Sequence, residues 1–328
     1  MTRHPRVRSF AVRTAQAVVT AVLLVLLWRV ADGRDALVYL READAGWLIF
    51  AGILLLAHTV FAALRWRVTA APLGVDLTPR RAVSEYFLAQ LGNATLPGGI
   101  LGDAGRATRS RHDAGLGPAA GAIIVERMIG QAALLLVLAL TFLITIVLPT
   151  GLVWPRPLDM AIGAFLSLTA VGVVILVVMV RRARGRAGSA MARALNGLRR
   201  SVASPGVAVV QIAYSVATTV CILGAFACCA TAVGAPLALV AIGAIVPLVL
   251  LAMVLPISIG GWGVREGAAV ALLPLAGLTS AQALATSVAF GIVALVAAVP
   301  GFVAVWFPGP QRAALSTPSR LPSPEESS

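Results

Sequence analysis

Residues 94–106 read ATLPGGILGDAGR, and residues 253–267 read MVLPISIGGWGVREG. Each stretch has Leu-Pro, a Gly pair and a further Gly, and each holds one acid and one Arg. Each is followed by a Gly-Leu step, Gly115-Leu116 or Gly277-Leu278, and then by a long run rich in small apolar residues. Pro and Gly interrupt a helix. At membrane depth such a break is tolerated only inside protein or beside a watery cavity. Two re-entrant helical hairpins are therefore predicted, over 82–110 and 236–276. The first is too polar for a lipid-facing span, since it holds Ser84, Glu85, Gln90 and Asn93.

The residues around these breaks set the class. Hydrophobic residues make up 59% of the 328 and charged residues only 12%, with mean hydropathy +0.93. Soluble domains carry about a quarter charged residues, so a soluble fold is excluded. Disorder is excluded by the amount of apolar surface. The apolar residues come in long runs, not alternating strands, which argues against a barrel. The expectation is an all-α, polytopic transmembrane bundle of about six spans plus the two hairpins. The spans fall at 15–30, 46–66, 118–148, 159–180, 206–233 and 280–307, with Pro300-Gly301 as a kink in the last. The first run ends in Trp28-Arg29. Arg29 would sit badly in a cleavage site after Ala31, so this run reads as a retained anchor.

All 26 basic residues are Arg, against 13 acids, and the net charge is +13. Nucleic-acid binding is set aside because the distribution is topological. Arg3, Arg6, Arg8 and Arg13 precede the first span, Arg65 to Arg111 fall between spans two and three, and seven more lie in RRARGRAGSAMARALNGLRR. Few Arg fall on the other side. This predicts cytoplasmic N- and C-termini in the cell membrane, with attraction to anionic headgroups. The two halves, 46–148 and 206–307, are then inverted repeats whose broken helices meet near the midplane, a transporter pattern. A basic tail, 1–14, precedes the transmembrane domain, 15–308, and a Pro/Ser-rich tail, 309–328, follows it.

Charges inside a bilayer are costly, so they must face the interior and find partners. Asp103 and Arg106 are three apart and share a helix face. Glu126 and Arg127 are neighbours on a helix and do not face each other, so each needs a partner elsewhere. Arg265-Glu266 lies in the second break, where Gly260, Gly261 and Gly263 allow close approach and free N–H groups. Arg265 suits bidentate contact with phosphate or carboxylate. Asn93, Gly98, Gly99 and Ser258 complete the candidate substrate-binding set, with Glu85 a further polar lining and His58 structural. No catalytic constellation, metal-ligand spacing, cofactor motif or phosphate-cradling loop is present, so ATP bound to this chain would not power transport. Cys221, Cys228 and Cys229 lie in one apolar run and read as packing.

The elements N93-x2-LPGG-x2-GD-x2-R106, E126-R127 and LPISIGGWGVREG resemble the transmembrane region of lysylphosphatidylglycerol synthases and the stand-alone flippase-like membrane proteins. The resemblance covers roughly 15–307. It implies a lipid flippase fold with two re-entrant elements, and it implies that Asp103, Arg106, Glu126, Arg127, Arg265 and Glu266 line a headgroup path. The full synthases add a cytosolic aminoacyl-transferase domain. Here only the short tail follows, so aminoacyl transfer is not expected of this chain, and a separate lipid-modifying enzyme is a possible partner. The partners implied are membrane lipids: an anionic or modified phospholipid, a glycolipid or a polyisoprenoid carrier. The alternatives are a membrane enzyme, or a non-transporting subunit or scaffold of a lipid or glycolipid synthesis system.

Overall fold

The computed structural model describes residues 5–96, 101–149, 151–182, 205–254 and 257–306. The predicted tail 309–328 lies outside them. Among the described residues the ordered elements are helical and form no sheet. Five helices are long and apolar enough to cross a membrane, or six if one bent pair is a single span. The protein is a multi-pass membrane protein of helical class.

α1 (Pro5–Val30) and α2 (Gly33–Arg41) form that bent pair, with an angle of 89° at the break. Asp32 turns the chain there with φ 48. α3 (Ala45–Ala70) starts at Asp44, whose carboxylate accepts from the N–H groups of Gly46 and Trp47, filling donors the first turn leaves open. α4 (Pro79–Thr95) is capped by Thr78, with Pro79 in the first turn, where its missing N–H costs nothing. α5 (Leu101–Ala114) leads through Gly115 into α6 (Leu116–Val147). α7 (Arg156–Arg182) follows, with Met160, Leu168 and Val174 among many exposed apolar side chains.

The second half begins with α8 (Pro205–Ala232), then the short α9 (Leu239–Ala244) and α10 (Val246–Ala252). After the break come α11 (Val264–Leu272), α12 (Ser280–Ala298) and α13 (Pro300–Trp306). α12 opens with a capping box between Thr279 and Gln282, the two exchanging side chain and backbone. Pro300 separates α12 from α13, at the predicted kink.

α3 and α8 pack along most of their length and form the centre. Ala51, Ala62 and Ala63 on α3, and Ala225, Cys229 and Ala230 on α8, are buried. Small side chains let backbones approach, which is how helices associate where lipid removes the hydrophobic drive. Further contacts also cross between halves. α6 packs on α9 and α10, and α13 packs on α4. An added Cβ on Gly301 would lie 2.6 Å from the Phe87 carbonyl oxygen. The two breaks also touch: Gly260, at φ 57, comes so close to α4 that a Cβ there would lie 2.7 Å from the Ala94 carbonyl oxygen.

Candidate functional site

Five charged side chains beside the first break form an alternating chain. Arg65 of α3 reaches Glu126 of α6, Nη2 to Oε1, at 2.7 Å. The other carboxylate oxygen of Glu126 faces Arg106 Nη2 of α5 at 3.7 Å. Arg106 Nη2 also pairs with Asp103 Oδ1, one turn earlier, at 3.0 Å. Asp103 Oδ2 accepts from Arg127 Nε at 2.5 Å and is also paired with Arg127 Nη2. The order is Arg65, Glu126, Arg106, Asp103, Arg127. Arg106 and Glu126 are each 1% exposed, whereas the Arg127 side chain is 46% exposed. The chain therefore runs from the interior to an accessible end.

Local geometry explains the order. Asp103 and Arg106 share a face at i,i+3 as the spacing predicts. Glu126 and Arg127 diverge as predicted, Glu126 inward to two arginines and Arg127 to Asp103. Asn93 fastens the hairpin: its Oδ1 accepts from Gly102 N–H at 2.9 Å and its Nδ2 donates to Asp103 at 3.2 Å. The helices approach so closely there that a Cβ on Gly102 would overlap the Ala89 carbonyl. Glu85 pairs with Arg109 at 2.5 Å, beside the chain. Gly98 and Gly99 lie outside the described residues.

Two aromatic rings lie against Arg106. Its guanidinium carbon lies 4.4 Å from the ring centroid of Trp66 and 4.5 Å from that of Tyr86, a geometry attractive to a cation. Tyr86 also donates to Glu126 at 3.3 Å. Arg106 Nε and Nη1 make no hydrogen bond, and neither do Arg65 Nε, Trp66 Nε1 and Ser110 Oγ. A buried donor without an acceptor costs about 1–3 kcal/mol. Glu126 Oε2 also makes no hydrogen bond, so the first cluster leaves several donors and one carboxylate oxygen unengaged.

The second break is built differently. Gly260, Gly261 and Gly263 have φ 57, 81 and 86 and carry the chain through a turn into α11. Glu266 accepts from Gly263 N–H at 2.6 Å, closing the first turn of that helix. Arg265 pairs with the adjacent Glu266, and its Nε donates to Ser287 of α12 at 3.1 Å. The long Arg side chain bends back round the helix start, so neighbours meet here. Trp262 and Phe290 flank the guanidinium at 5.0 and 5.6 Å. Arg265 and Glu266 are buried, Glu266 at 0% exposure. Ser258, earlier in the same break, is buried, and its Oγ makes no hydrogen bond. α1 covers this turn: Thr20 Oγ1 accepts from Ile259 N–H at 3.1 Å, and Leu23 packs on Gly263.

Arg65 is the residue that sequence reasoning missed. Its place at the end of an apolar run reads as a loop arginine, but α3 runs on to Ala70 and buries it. Its Nη1 donates to Thr218 at 3.2 Å and Ser215 at 3.4 Å on α8. Trp66, Tyr86 and Ser287 were also not foreseen. His58 Nδ1 lies 2.9 Å from the Thr218 carbonyl oxygen. Among the described residues no three of His, Cys, Asp and Glu are placed to hold a metal.

Residues 14–301 match the family described as the lysylphosphatidylglycerol synthase TM region. The chain belongs to that family. The match spans both Gly-rich breaks and every charged residue of both clusters, so the lysylphosphatidylglycerol synthase transmembrane-region fold includes the whole site described above. No curated protein and no solved structure matches the chain significantly.

Proposed function

We propose that this family member is a lipid translocase that passes a phospholipid or glycolipid headgroup through a polar path between the two breaks, while the acyl chains stay in the bilayer. The observation that carries the reading is Arg106: a buried guanidinium, stacked on two rings, with Nε and Nη1 unengaged. A headgroup phosphate supplies the acceptors those donors lack. In this reading Asn93, Asp103, Arg106, Glu126 and Arg127 line the path and Arg65 joins them. Arg265, Glu266, Ser258 and the glycines at 260, 261 and 263 form the opposing wall, holding the second break against the first. The helix–break–helix segments act as re-entrant elements of an inverted repeat, with halves 46–148 and 206–307 and both termini cytoplasmic in the cell membrane. The crossed contacts of α6 and α13 with the other half's hairpin support that arrangement.

The test is reconstitution of the full chain into vesicles with labelled anionic, aminoacylated and glycosylated lipids. Transfer of at least one lipid between leaflets, lost in Arg106→Gln while the variant still inserts, is the expected result. No transfer of any lipid by the wild type overturns the reading. Chemical conversion of a lipid in place of movement assigns the chain to lipid synthesis. Cysteines placed at position 99 and at the exposed Ile257, in a background without the native three, should label from opposite sides of the membrane. Labelling from one side removes the inverted arrangement.

A further inference from the structure

The turn of the second break has neighbours on two elements. Gly260 lies against the Ala94 carbonyl of the first break, and Ile259 and Gly263 lie against α1. Thr20 Oγ1 accepts from Ile259 N–H at 3.1 Å and donates to the Gln16 carbonyl at 2.8 Å. An added Cβ on Gly263 would lie 2.8 Å from Leu23 Cβ, and one on Gly267 3.9 Å from the end of Leu27. Gly263 and Gly267, four apart at the start of α11, form the small-residue track on which membrane helices pair. α1 presents a matching stripe. Among residues 14–30 only Gln16, Thr20, Leu23, Leu24 and Leu27 are partly buried, and the others are exposed. That spacing is one helix face. None of residues 14–30 is fully buried, whereas α3 buries nine of its residues.

The attachment is slight, and a pivot adjoins it. α1 packs chiefly on α11 and α2. Val18, Val22, Val25 and Leu26 on its remaining faces are exposed and in a bilayer already meet lipid. Lipid is as apolar as these side chains, so no hydrophobic penalty opposes separation of α1 from the seam. α2 is anchored by contrast, with Gly33 and Ala36 buried and the helix packed on α12. Between the two, Asp32 takes φ 48 and makes no side-chain cap to α2. Trp28 lies over Gly33, where a Cβ would fall 2.2 Å from its ring. The joint at 31–33 has the form of a hinge, a few element-terminal residues beside an anchored body.

We propose that α1 is a lateral gate of the second break. It swings about residues 31–33 off the Gly263–Gly267 seam and opens the glycine turn to the bilayer, so that a headgroup enters from the side. The Ile259 N–H released from Thr20 is then a donor for the headgroup, next in sequence to the unengaged Ser258 hydroxyl. The inference rests on the translocase reading for what passes the gate, and the movement itself does not depend on it.

Two measurements on the full chain, in a background without the native cysteines, test the gate. In the first, Leu27→Cys with Gly267→Cys is bridged in vesicles by a short bifunctional thiol reagent. Leaflet transfer of the labelled lipids is compared before bridging, after it and after reduction. Transfer should fall to background on bridging and return on reduction. Leu54→Cys with Gly224→Cys joins α3 to α8, where a Cβ on Gly224 would lie 3.3 Å from Leu54. Bridging this central pair should leave transfer intact. Full transfer by the bridged 27–267 protein, or equal loss in both pairs, overturns the gate. In the second, spin labels at the exposed Val22 of α1 and Ile292 of α12 report their separation in nanodiscs. Two populations are expected. Thr20→Val leaves the Ile259 N–H without its acceptor and should raise the longer one about threefold, the worth of one interhelical hydrogen bond in a membrane. A single separation, unchanged by Thr20→Val, overturns the gate even where the cysteine pair fails to fold. Two populations without transfer by the unbridged protein remove the translocase reading alone, whereas transfer with one fixed separation removes this inference alone.

Discussion

The two Gly-rich breaks use similar sequence to opposite ends. At the second, Arg265 and Glu266 satisfy each other, and Ser287 and the Gly263 N–H take up their remaining capacity. That turn is neutral and closed. At the first, charges from α3, α5 and α6 form an open chain with a surplus cation and unengaged donors on Arg106. A buried arginine can therefore hold a fold together or wait for a ligand. What separates the cases is whether the protein supplies all its acceptors.

The largest effect that would test this contrast is on stability at the closed turn. Glu266→Ala leaves Arg265 buried without its carboxylate and should cost about 3–5 kcal/mol, read by thermal unfolding in nanodiscs. Adding Arg265→Met should restore most of it. A double variant as unstable as the single one would show that the pair is not what the turn depends on. Gly291→Ala sharpens the same point, since its Cβ would collide with the Arg265 guanidinium. Overpacking of this kind should cost about 1–3 kcal/mol.

At the open chain the balance shifts from stability to transfer. In Arg106→Gln, Glu126 keeps Arg65 and Asp103 keeps Arg127, so the loss should be only about 1–2 kcal/mol while leaflet transfer falls to background. A collapse as deep as that of Glu266→Ala would make the two breaks alike after all. The smallest effect belongs to Glu85→Gln. Its partner Arg109 is 26% exposed, and solvent screening should hold the change in unfolding to about 0.2–1 kcal/mol.

Part of this contrast was legible in the chain alone. The i,i+3 spacing of Asp103 and Arg106 and the divergence of Glu126 from Arg127 follow from helix periodicity, and both are found. Arg65 was not legible. It lies near the C-terminal end of an apolar run, where hydropathy cannot separate a loop marker from a buried ligand of Glu126. A pairing between residues so far apart in sequence leaves no local periodic signal. The aromatic clamp on Arg106 was invisible for the same reason, since Trp66 and Tyr86 stand on different helices.

The sequence by itself determined the class: helices long enough to span, their approximate limits, the Gly-Pro breaks and the few charges too costly to leave in lipid. Those are properties of composition and local spacing, because the bilayer demands internally bonded helices wherever a long apolar run occurs. The tertiary structure decided which charges meet. Close packing through Gly260, Gly102 and the small residues of α3 and α8 brings distant arginines and acids within a few ångströms. Only that packing settles why one cluster is complete and the other has a charge to spare.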